Sequence, residues 1–274
     1  MDLEAFAKAV LAEDIGRGDL FERSVDLRQK AAARIIAKSS AILAGVPYAE
    51  AIAKELGLEI VWEIEDGGSF HSGNIIAKVY GDAVSLLKAE RSLLNTLLHA
   101  SSIATKAREF IELSQGKIKV LDTRKTRPLL REFEKYAARI GGVVNHRMGL
   151  DDALMLKDTH LAILDEDFES YMKEVRKKIP FTAKIEVECE SFEMAKRAMQ
   201  AGADIVMCDN MEIEEIKRVV ELRDNDFPHI LLEASGNITK ERIEAYIDLG
   251  IDAISSGSIV HQATWPDISM KIGV

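Results

Sequence analysis

The feature of this sequence that most constrains the fold is a regular alternation of strand-length and helix-length segments over residues 118–254. Apolar runs of strand length occur at residues 118–121, 153–156, 185–187, 205–208, 230–232 and 251–254. The segments between them have helical spacing, at residues 129–140, 168–178, 192–201, 213–222 and 240–249. Such alternation indicates a parallel sheet with right-handed crossovers, either open or closed into a barrel. Six strands are two fewer than a closed barrel of this type requires, so we expect an incomplete α/β barrel.

The first 101 residues follow a different pattern and predict a separate domain. An amphipathic helix is predicted over residues 1–12 and a further helical segment over residues 48–56. Three β-like runs surround the second segment, at residues 33–37, 58–64 and 75–79. A long helix is predicted from Ala83 to Ser101, and no Pro-rich or Ser-rich linker follows it. We therefore expect a packed domain boundary near Ser101.

Composition excludes several classes of function. The chain has 274 residues, a formal charge of −10 and 47% hydrophobic residues, which is typical of an ordinary folded protein. The net negative charge argues against general nucleic-acid binding, and no apolar run reaches the roughly 18 residues of a membrane span. Cys189 and Cys208 cannot form a disulfide framework for a chain of this size and are predicted to be buried structural thiols. These features predict a cytoplasmic protein that binds neither nucleic acid nor membrane.

The positive charges are concentrated between residues 117 and 147, where nine Lys or Arg residues accompany three acidic ones. Arg131, Lys135 and Arg139 recur at helical spacing, which is typical of a solvated helix face. Arg124, Lys125 and Arg147 instead lie at the ends of predicted elements, so they are candidates for a binding site.

The residues that follow each predicted strand indicate where the site lies, because the carboxyl ends of parallel strands form the active site in α/β folds. They comprise a cationic cluster, two acids and two neutral turns: Arg124, Lys125, Arg147 and Lys157; Glu188 and Asp209; residues 235–237 and 256–258. The cations suit a dianion, the acids suit a divalent metal or sugar hydroxyls, and the turns suit a phosphate. We expect a small polyanionic acid and a phosphorylated sugar, with Mg²⁺. The alternative for Glu188 and Asp209 is a buried ion network with Lys157 and Lys184.

Several motifs, in order between residues 122 and 236, resemble those of one family. They are Asp122-Thr-Arg-Lys-Thr126, Gly141-Gly-Val-Val-Asn-His-Arg147, Leu156-Lys157-Asp158, Glu186-Val-Glu188, Cys208-Asp209-Asn210 and Glu233-Ala-Ser-Gly236. Together they are similar to quinolinate phosphoribosyltransferase, and the first two are the most specific.

The resemblance implies an N-terminal α/β sandwich over residues 1–101 and an incomplete α/β barrel, open and six- or seven-stranded, over residues 102–266, with residues 267–274 packing back on the sandwich. It also implies a homodimer or larger assembly that joins quinolinate to phosphoribosyl pyrophosphate in the presence of Mg²⁺. The products would be nicotinate mononucleotide, pyrophosphate and CO₂.

The resemblance also implies roles for individual residues. The carboxylates of quinolinate would be bound by Arg124, Lys125, His146, Arg147 and Lys157, and Arg91 would reach the neighbouring subunit's site. Glu188 and Asp209 would hold the ribose hydroxyls and Mg²⁺, directly or through water. Phosphate groups would be bound by Ser235, Gly236, Gly257 and His261. Lys125 and Lys157 are both candidates for the group that protonates the product carbon.

The sequence departs from the family pattern at Thr126-Arg127-Pro128-Leu129, where a smaller residue and Gly often follow the threonine. Arg127 is either a surface residue or a further phosphate contact. Two alternative functions remain. One is a paralogue that acts on nicotinate or another acid, although the full cationic set favours a dicarboxylate. The other is a barrel lyase that uses Lys157 or Lys184 as a Schiff base.

Overall fold

The computed structural model of this protein describes residues 2–26, 29–164 and 168–273. The chain divides into two compact units. Unit 1 comprises the chain up to Arg108, residues 127–142 and the chain from Gln262, and unit 2 comprises residues 109–126 and 143–261. These units differ from the predicted domains, which were residues 1–101 with residues 267–274 and residues 102–266, because residues 127–142 group with the N-terminal segment.

The elements follow one another in a largely antiparallel first part and an alternating second part. The first part contains α1 (Leu3–Ile15), α2 (Leu20–Ser24), β1 (Lys30–Ala37), β2 (Ala41–Ile42), α3 (Val46–Glu55), β3 (Glu59–Trp62), β4 (Ser69–Phe70), β5 (Ile75–Asp82) and α4 (Ala83–Ser114). The second part contains β6 (Lys119–Leu121), α5 (Arg131–Ile140), β7 (Leu154–Leu156), α6 (Asp158–Leu164), α7 (Phe168–Val175), β8 (Ile185–Cys189), α8 (Phe192–Gln200), β9 (Ile205–Asp209), α9 (Ile213–Asp226), β10 (Leu231–Ser235), β11 (Ala253–Ser255), α10 (Ser258–His261) and β12 (Ile268–Gly273).

Unit 1 is built on an antiparallel sheet with the strand order β12-β1-β5-β3. Every second residue of β1 is buried, at Ala33, Ile35 and Ala37, so one face of the strand packs into the core of unit 1. The strand β12 is remote in sequence but pairs with β1 from Ala32 opposite Gly273 to Ala37 opposite Ile268. The short strands β2 and β4 form a separate two-stranded sheet.

Helix α4 extends to Ser114, so the predicted end near Ser101 is wrong. The apolar stripe continues past that point, because Ile103, Ala107 and Phe110 are completely buried. The hydroxyl of Ser101 does not terminate the helix and instead accepts a hydrogen bond from the backbone N–H of Ala44, at 3.1 Å. Continued burial of one face therefore outweighs the two serines, which are weak helix formers.

Unit 2 is built on a six-stranded parallel sheet with the order β6-β11-β10-β9-β8-β7. Val144 adds a parallel bridge to Leu121, in which the Val144 N–H donates to the carbonyl of Val120 at 2.9 Å. The predicted incomplete α/β barrel is confirmed, with six strands and this bridge. Helices connect most of the strands, as is usual between parallel strands.

The helix predicted over residues 240–249 is wrong. This segment forms turns and a single 3-10 helix at Ile243–Ala245. Its backbone bonds span three residues, as from the Tyr246 N–H to the carbonyl of Ile243 at 2.9 Å. Ile243 and Tyr246 are both buried, and residues three apart lie directly above one another in a 3-10 helix. The apolar spacing of this segment therefore fits the tighter turn.

The solvated face predicted on α5 is wrong at Lys135, which is completely buried, and correct for Arg139, which is exposed. The first turns of α5 enter the core of unit 1, where the Phe133 ring stacks on Phe6 at 5.1 Å between centroids.

Within the described part of the chain, no helix combines the length and apolar character that a membrane span requires.

Candidate functional site

Unit 2 contains a cavity of about 340 Å³ at the carboxyl ends of its parallel strands. It is lined by Thr123, Arg124, Lys125, His146, Arg147, Met155, Lys157, Glu188, Met207, Asp209, Ser235 and Ser255. Eight of the predicted site residues therefore share one cavity. Met155, Met207 and Ser255 also line the cavity, although they were not among the predicted site residues.

Two arginines form a cationic wall of this cavity. Arg147 is fixed by a hydrogen bond from Nη1 to the carbonyl of Ala153 at 3.0 Å. Burial and the nearby positive charge of Arg124 lower the pKa of Arg147. The Nε atom of Arg124 is buried and has no hydrogen-bond partner among the described residues. Two close cations with an unused donor favour an anionic ligand, which would relieve their repulsion and accept the hydrogen bond.

The acidic part of the cavity is partly paired. Lys157 Nζ forms an ion pair with Glu188 Oε2, but the Lys157 side chain is 42% exposed, so this single pair is not the buried network of the alternative interpretation. Asp209 Oδ2 accepts a hydrogen bond from Asn210 Nδ2 at 2.8 Å. Both acids lie at the ends of strands, on β8 and β9. Carboxylate oxygens are the ligands that Mg²⁺ prefers, so the chemistry of these residues fits that ion.

His146 stands on a loop that Asp122 holds in place. Asp122 is completely buried, and its Oδ1 accepts a hydrogen bond from the His146 N–H at 2.8 Å. Its Oδ2 accepts another from Asn145 Nδ2 at 2.6 Å. A buried carboxylate that accepts several hydrogen bonds is a rigid anchor. The loop that carries His146 and Arg147 is therefore fixed at its start.

The His146 ring faces two buried carboxylates. Its Nε2 lies 3.3 Å from Glu186 Oε2 and 3.4 Å from Glu233 Oε2. Burial by itself lowers the pKa of His146, but hydrogen bonds and charges from Glu186 and Glu233 outweigh this effect and raise the pKa to about 10. Burial and the charge of Glu233 raise the pKa of Glu186. These three side chains also place three potential metal-ligand atoms within 4.8 Å of one another.

The predicted phosphate-binding residues lie at or after the carboxyl ends of β10 and β11. Ser235 lines the cavity at the end of β10. Gly236 has φ +88°, and a Cβ there would lie 2.3 Å from Asn210 Oδ1, so the turn requires glycine. A Cβ at Gly257 would lie 2.7 Å from Lys125 Cδ and 3.3 Å from the His261 ring. Gly257 therefore allows the Lys125 and His261 side chains to pack closely against the backbone of this turn.

Arg91 and Arg127 do not line this cavity. Arg91 is exposed on α4 in unit 1, where it lines a second cavity of about 240 Å³ with Glu13, Asp14 and Asn95. Arg127 donates from Nη1 to the completely buried Glu134 at 2.6 Å, and its backbone N–H donates to the same carboxylate at 2.8 Å. Arg127 thus has an acidic partner within unit 1.

The predicted burial of both cysteines is confirmed. Cys189 and Cys208 are free thiols and completely buried, opposite each other on β8 and β9. Burial raises the pKa of Cys208 to about 12 and also raises the pKa of Cys189. Neither thiol therefore has the low pKa of a nucleophile.

Sequence reasoning assigned no role to Asp122, Glu186 and Glu233, although all three fall within the recognised motifs. A signal for Glu186 was available. Side chains alternate between faces along a strand, so Glu186 shares the face of Glu188, which lines the cavity. No local pattern in the sequence pairs Glu186 with Glu233, because β9 separates their strands in the sheet.

Comparisons with known proteins identify the family of this chain. The family model of the quinolinate phosphoribosyl transferase C-terminal domain matches residues 103–271, and that of the N-terminal domain matches residues 19–101. A probable carboxylating nicotinate-nucleotide pyrophosphorylase from Methanothermobacter thermautotrophicus is 38% identical over 276 residues, covering 97% of each chain. The human carboxylating nicotinate-nucleotide pyrophosphorylase is 36% identical over 243 residues, covering 88% of this chain and 82% of the human one.

A solved structure shows the same fold. The crystal structure of NadC from Streptococcus pyogenes superposes with a TM-score of 0.92 at 37% identity, covering 99% of this chain and 96% of that one. Both the sequence and the arrangement of elements therefore match over nearly the full length. The chain belongs to the quinolinate phosphoribosyl transferase family.

Proposed function

We propose that this protein transfers the phosphoribosyl group of phosphoribosyl pyrophosphate to quinolinate, with decarboxylation, to give nicotinate mononucleotide, pyrophosphate and CO₂. The observation that carries this proposal is the cavity in unit 2, which places the Arg124–Arg147 pair and the Glu188–Asp209 pair around one space. A dicarboxylate fits the first pair and a ribose fits the second. The relatives named as carboxylating pyrophosphorylases support the same reaction.

The cationic residues would bind and orient quinolinate. Arg124 offers its unpartnered Nε, and Arg147 is already fixed by the Ala153 carbonyl. Lys125 and Lys157 add charge at the same cavity. Holding the ring nitrogen against C1 of the ribose replaces a bimolecular encounter by a positioned reaction. The bond from that nitrogen to C1 forms as the bond from C1 to pyrophosphate breaks.

The acidic residues would act on the ribose. Positive charge develops on the sugar as pyrophosphate leaves, and the carboxylates of Glu188 and Asp209 stabilise it electrostatically. Ser235, Gly236, Gly257 and His261 would bind phosphate groups beside them. Glu188 and Asp209 are also the residues that would hold Mg²⁺, which neutralises the leaving pyrophosphate when bound.

Decarboxylation needs little further help from the protein. Once ribose is attached, the ring nitrogen is cationic and stabilises the carbanion that remains when CO₂ leaves. Lys125 and Lys157 are the candidate donors of the proton to that carbon. Lys157 is already paired with Glu188. Replacing each lysine in turn by methionine and comparing the rates of decarboxylation shows which of the two donates the proton.

Turnover by the purified protein is the direct test. With quinolinate, phosphoribosyl pyrophosphate and Mg²⁺, the protein should form nicotinate mononucleotide and an equal amount of CO₂. Mass spectrometry measures both products. Arg124→Ala should raise KM for quinolinate, and Asp209→Asn should raise KM for phosphoribosyl pyrophosphate. Arg139→Ala, which alters an exposed cation on α5, is the matched control and should change neither value. Turnover of nicotinate in place of quinolinate would contradict the proposal.

The proposal includes a homodimer in the cytoplasm, in which Arg91 of one subunit completes the site of the other. Arg91 is exposed and belongs to unit 1, whereas the cavity belongs to unit 2. Mixing the inactive variants Arg91→Ala and Asp209→Ala should restore activity, because one site of the mixed dimer then has both residues. If Arg91 serves its own chain, the mixture stays inactive.

A further inference from the structure

The outer face of the antiparallel sheet in unit 1 contains a cavity of about 560 Å³. Alternate residues of β1 face it, because Ala33 and Ile35, which point to the other side of the sheet, are buried. Ala32 lies opposite Gly273 of β12 on one side and opposite Tyr80 of β5 on the other. Two adjacent residues as small as alanine and glycine form a floor, and the longer side chains around them enclose the cavity.

The side chains around this floor are strongly cationic. Arg34 lies directly opposite both Lys271 of β12 and Lys78 of β5, so three positive charges stand in one row across three strands. Lys30 also lines the cavity and lies opposite Asp82 of β5. Of the described residues that line the cavity, none is acidic. Like charges directly opposite each other on neighbouring strands are destabilising, so the row of three costs the sheet stability.

The protein offsets only part of the charge in this row. Lys78 Nζ forms an ion pair with Glu63 Oε1 at 2.6 Å. The hydrogen bond and the charge of Glu63 raise the pKa of Lys78, although the neighbouring charge of Arg34 opposes the rise. By contrast, Arg34 and Lys271 form no ion pair with any of the described residues. An anionic ligand would relieve the repulsion between these two side chains.

The arrangement of the side chains fits a nucleotide. Residues two apart on an antiparallel strand are separated by about 7 Å, which sets the distance from the cationic row to Tyr80 along β5. A ribose spans a similar length between a phosphate group and a base. Arg34 can bind phosphate in two-point fashion, and Tyr80, which is 40% exposed, offers a ring on which a base can stack. The volume is also within the roughly 300–1,000 Å³ of small-molecule sites.

We propose that this outer face of the sheet binds a nucleoside diphosphate or triphosphate, with its phosphates on Arg34 and Lys271 and its base on Tyr80. Ala32 and Gly273 leave the space that the ribose occupies. The site belongs to unit 1, whereas the cavity of the proposed function belongs to unit 2. The inference therefore does not depend on the proposed function.

ATP is a suitable probe, because stacking on an aromatic ring tolerates any base. Its binding is measured by isothermal titration calorimetry at low ionic strength, where charges are least screened. Arg34→Gln should weaken ATP binding roughly ten- to a hundredfold, the range expected for lost hydrogen bonds between charged groups. Arg139→Gln, which alters an exposed cation on α5, is the matched control and should leave the affinity unchanged.

Two further variants test the base and the location of the site. Tyr80→Leu should weaken ATP binding by about fivefold or more, the range for the loss of one stacked base. The same variant should bind inorganic tripolyphosphate as tightly as the wild type does, since that anion has no base. Arg124→Ala, which alters the cavity in unit 2, should keep the ATP affinity that Arg34→Gln loses.

The thermal unfolding midpoint distinguishes lost binding from lost structure. Without nucleotide, Arg34→Gln should raise the midpoint, because it removes the middle charge of the row. A lower midpoint would show that the protein itself uses this charge, and would overturn the inference. It would also be overturned if the wild type did not bind ATP, or if binding survived Arg34→Gln and was lost in Arg124→Ala. An equal loss of tripolyphosphate binding in Tyr80→Leu would exclude stacking of a base.

Discussion

At Leu129 the backbone has φ +65° in a residue that carries a Cβ. The left-handed region costs an L-residue roughly 1–2 kcal/mol relative to the ordinary helical region, and glycine avoids most of this cost. The side chain is 86% exposed, so little packing offsets the strain. We expect Leu129→Gly to raise the free energy of unfolding by about 1 kcal/mol, measured by urea titration.

The neighbouring Leu130 provides the control for this substitution, because its φ is −99°. Leu130→Gly gains no relief of strain and adds backbone entropy to the unfolded state. It should be neutral or destabilising. A Leu129→Gly variant that is less stable than the wild type would show that the exposed leucine has a partner that outweighs the strain.

The raised pKa values of His146 and Glu186 predict how the stability of the protein depends on pH. The pKa of His146 is raised to about 10 and that of Glu186 is raised as well, so the folded group holds more protons than the unfolded chain. A raised folded pKa contributes stability below the unfolded pKa, and this stability is lost as pH rises through the folded pKa. The stability of the wild type relative to His146→Gln should therefore decrease between about pH 6.5 and pH 10. Urea titrations of both proteins across that range measure the difference in the free energy of unfolding. A difference that stays constant or rises with pH would contradict the raised pKa of His146.

Among the elements, α4 and the end of α5 approach unusually closely at Gly141. A Cβ at this position would lie 2.4 Å from the Ala104 carbonyl oxygen and 2.4 Å from the Ala107 Cβ. The φ of Gly141 is −69°, so the backbone itself would accept alanine. Gly141→Ala should destabilise the protein by roughly 1–3 kcal/mol through overpacking alone.

A second glycine isolates the backbone contribution. Gly57 has φ +66°, and a Cβ there would meet no atom within 4 Å. Gly57→Ala should therefore cost about 1 kcal/mol, from conformation alone. If a urea titration showed no decrease in the free energy of unfolding for Gly141→Ala, α4 and the end of α5 could move apart without loss of stability.

The elements also show how far sequence reasoning reaches. The strands of unit 2 were predicted because each is a short apolar run between turns, and the charged residues after them marked the cavity. Three features could not be found in this way. The 3-10 turn at Ile243–Ala245 shares its apolar spacing with an α-helix, the bridge at Val144 is a single residue, and Glu186 meets Glu233 only through the tertiary fold.

At the scale of the whole molecule, the antiparallel sheet of unit 1 is assembled from segments far apart in the sequence. Its edge strand β12 pairs with β1 over residues 268–273. Met270 of that strand is buried, whereas Lys271 is exposed. Met270→Ala should cost about 2–5 kcal/mol of stability. Lys271→Ala is the control and should stay within about 0.5 kcal/mol in the same urea titration. Equal effects of the two would mean that β12 contributes little to the core of unit 1.

The pairing of β12 with β1 also sets an order of events during translation. The ribosome releases β1, β3 and β5 first, then all of unit 2, and only afterwards β12. A nascent chain can thus complete the parallel sheet while the antiparallel sheet still exposes the backbone groups of β1 along one edge. Such an edge is a template for pairing with other chains. The interval before β12 emerges is therefore the period in which this protein is most exposed to aggregation and to the action of chaperones.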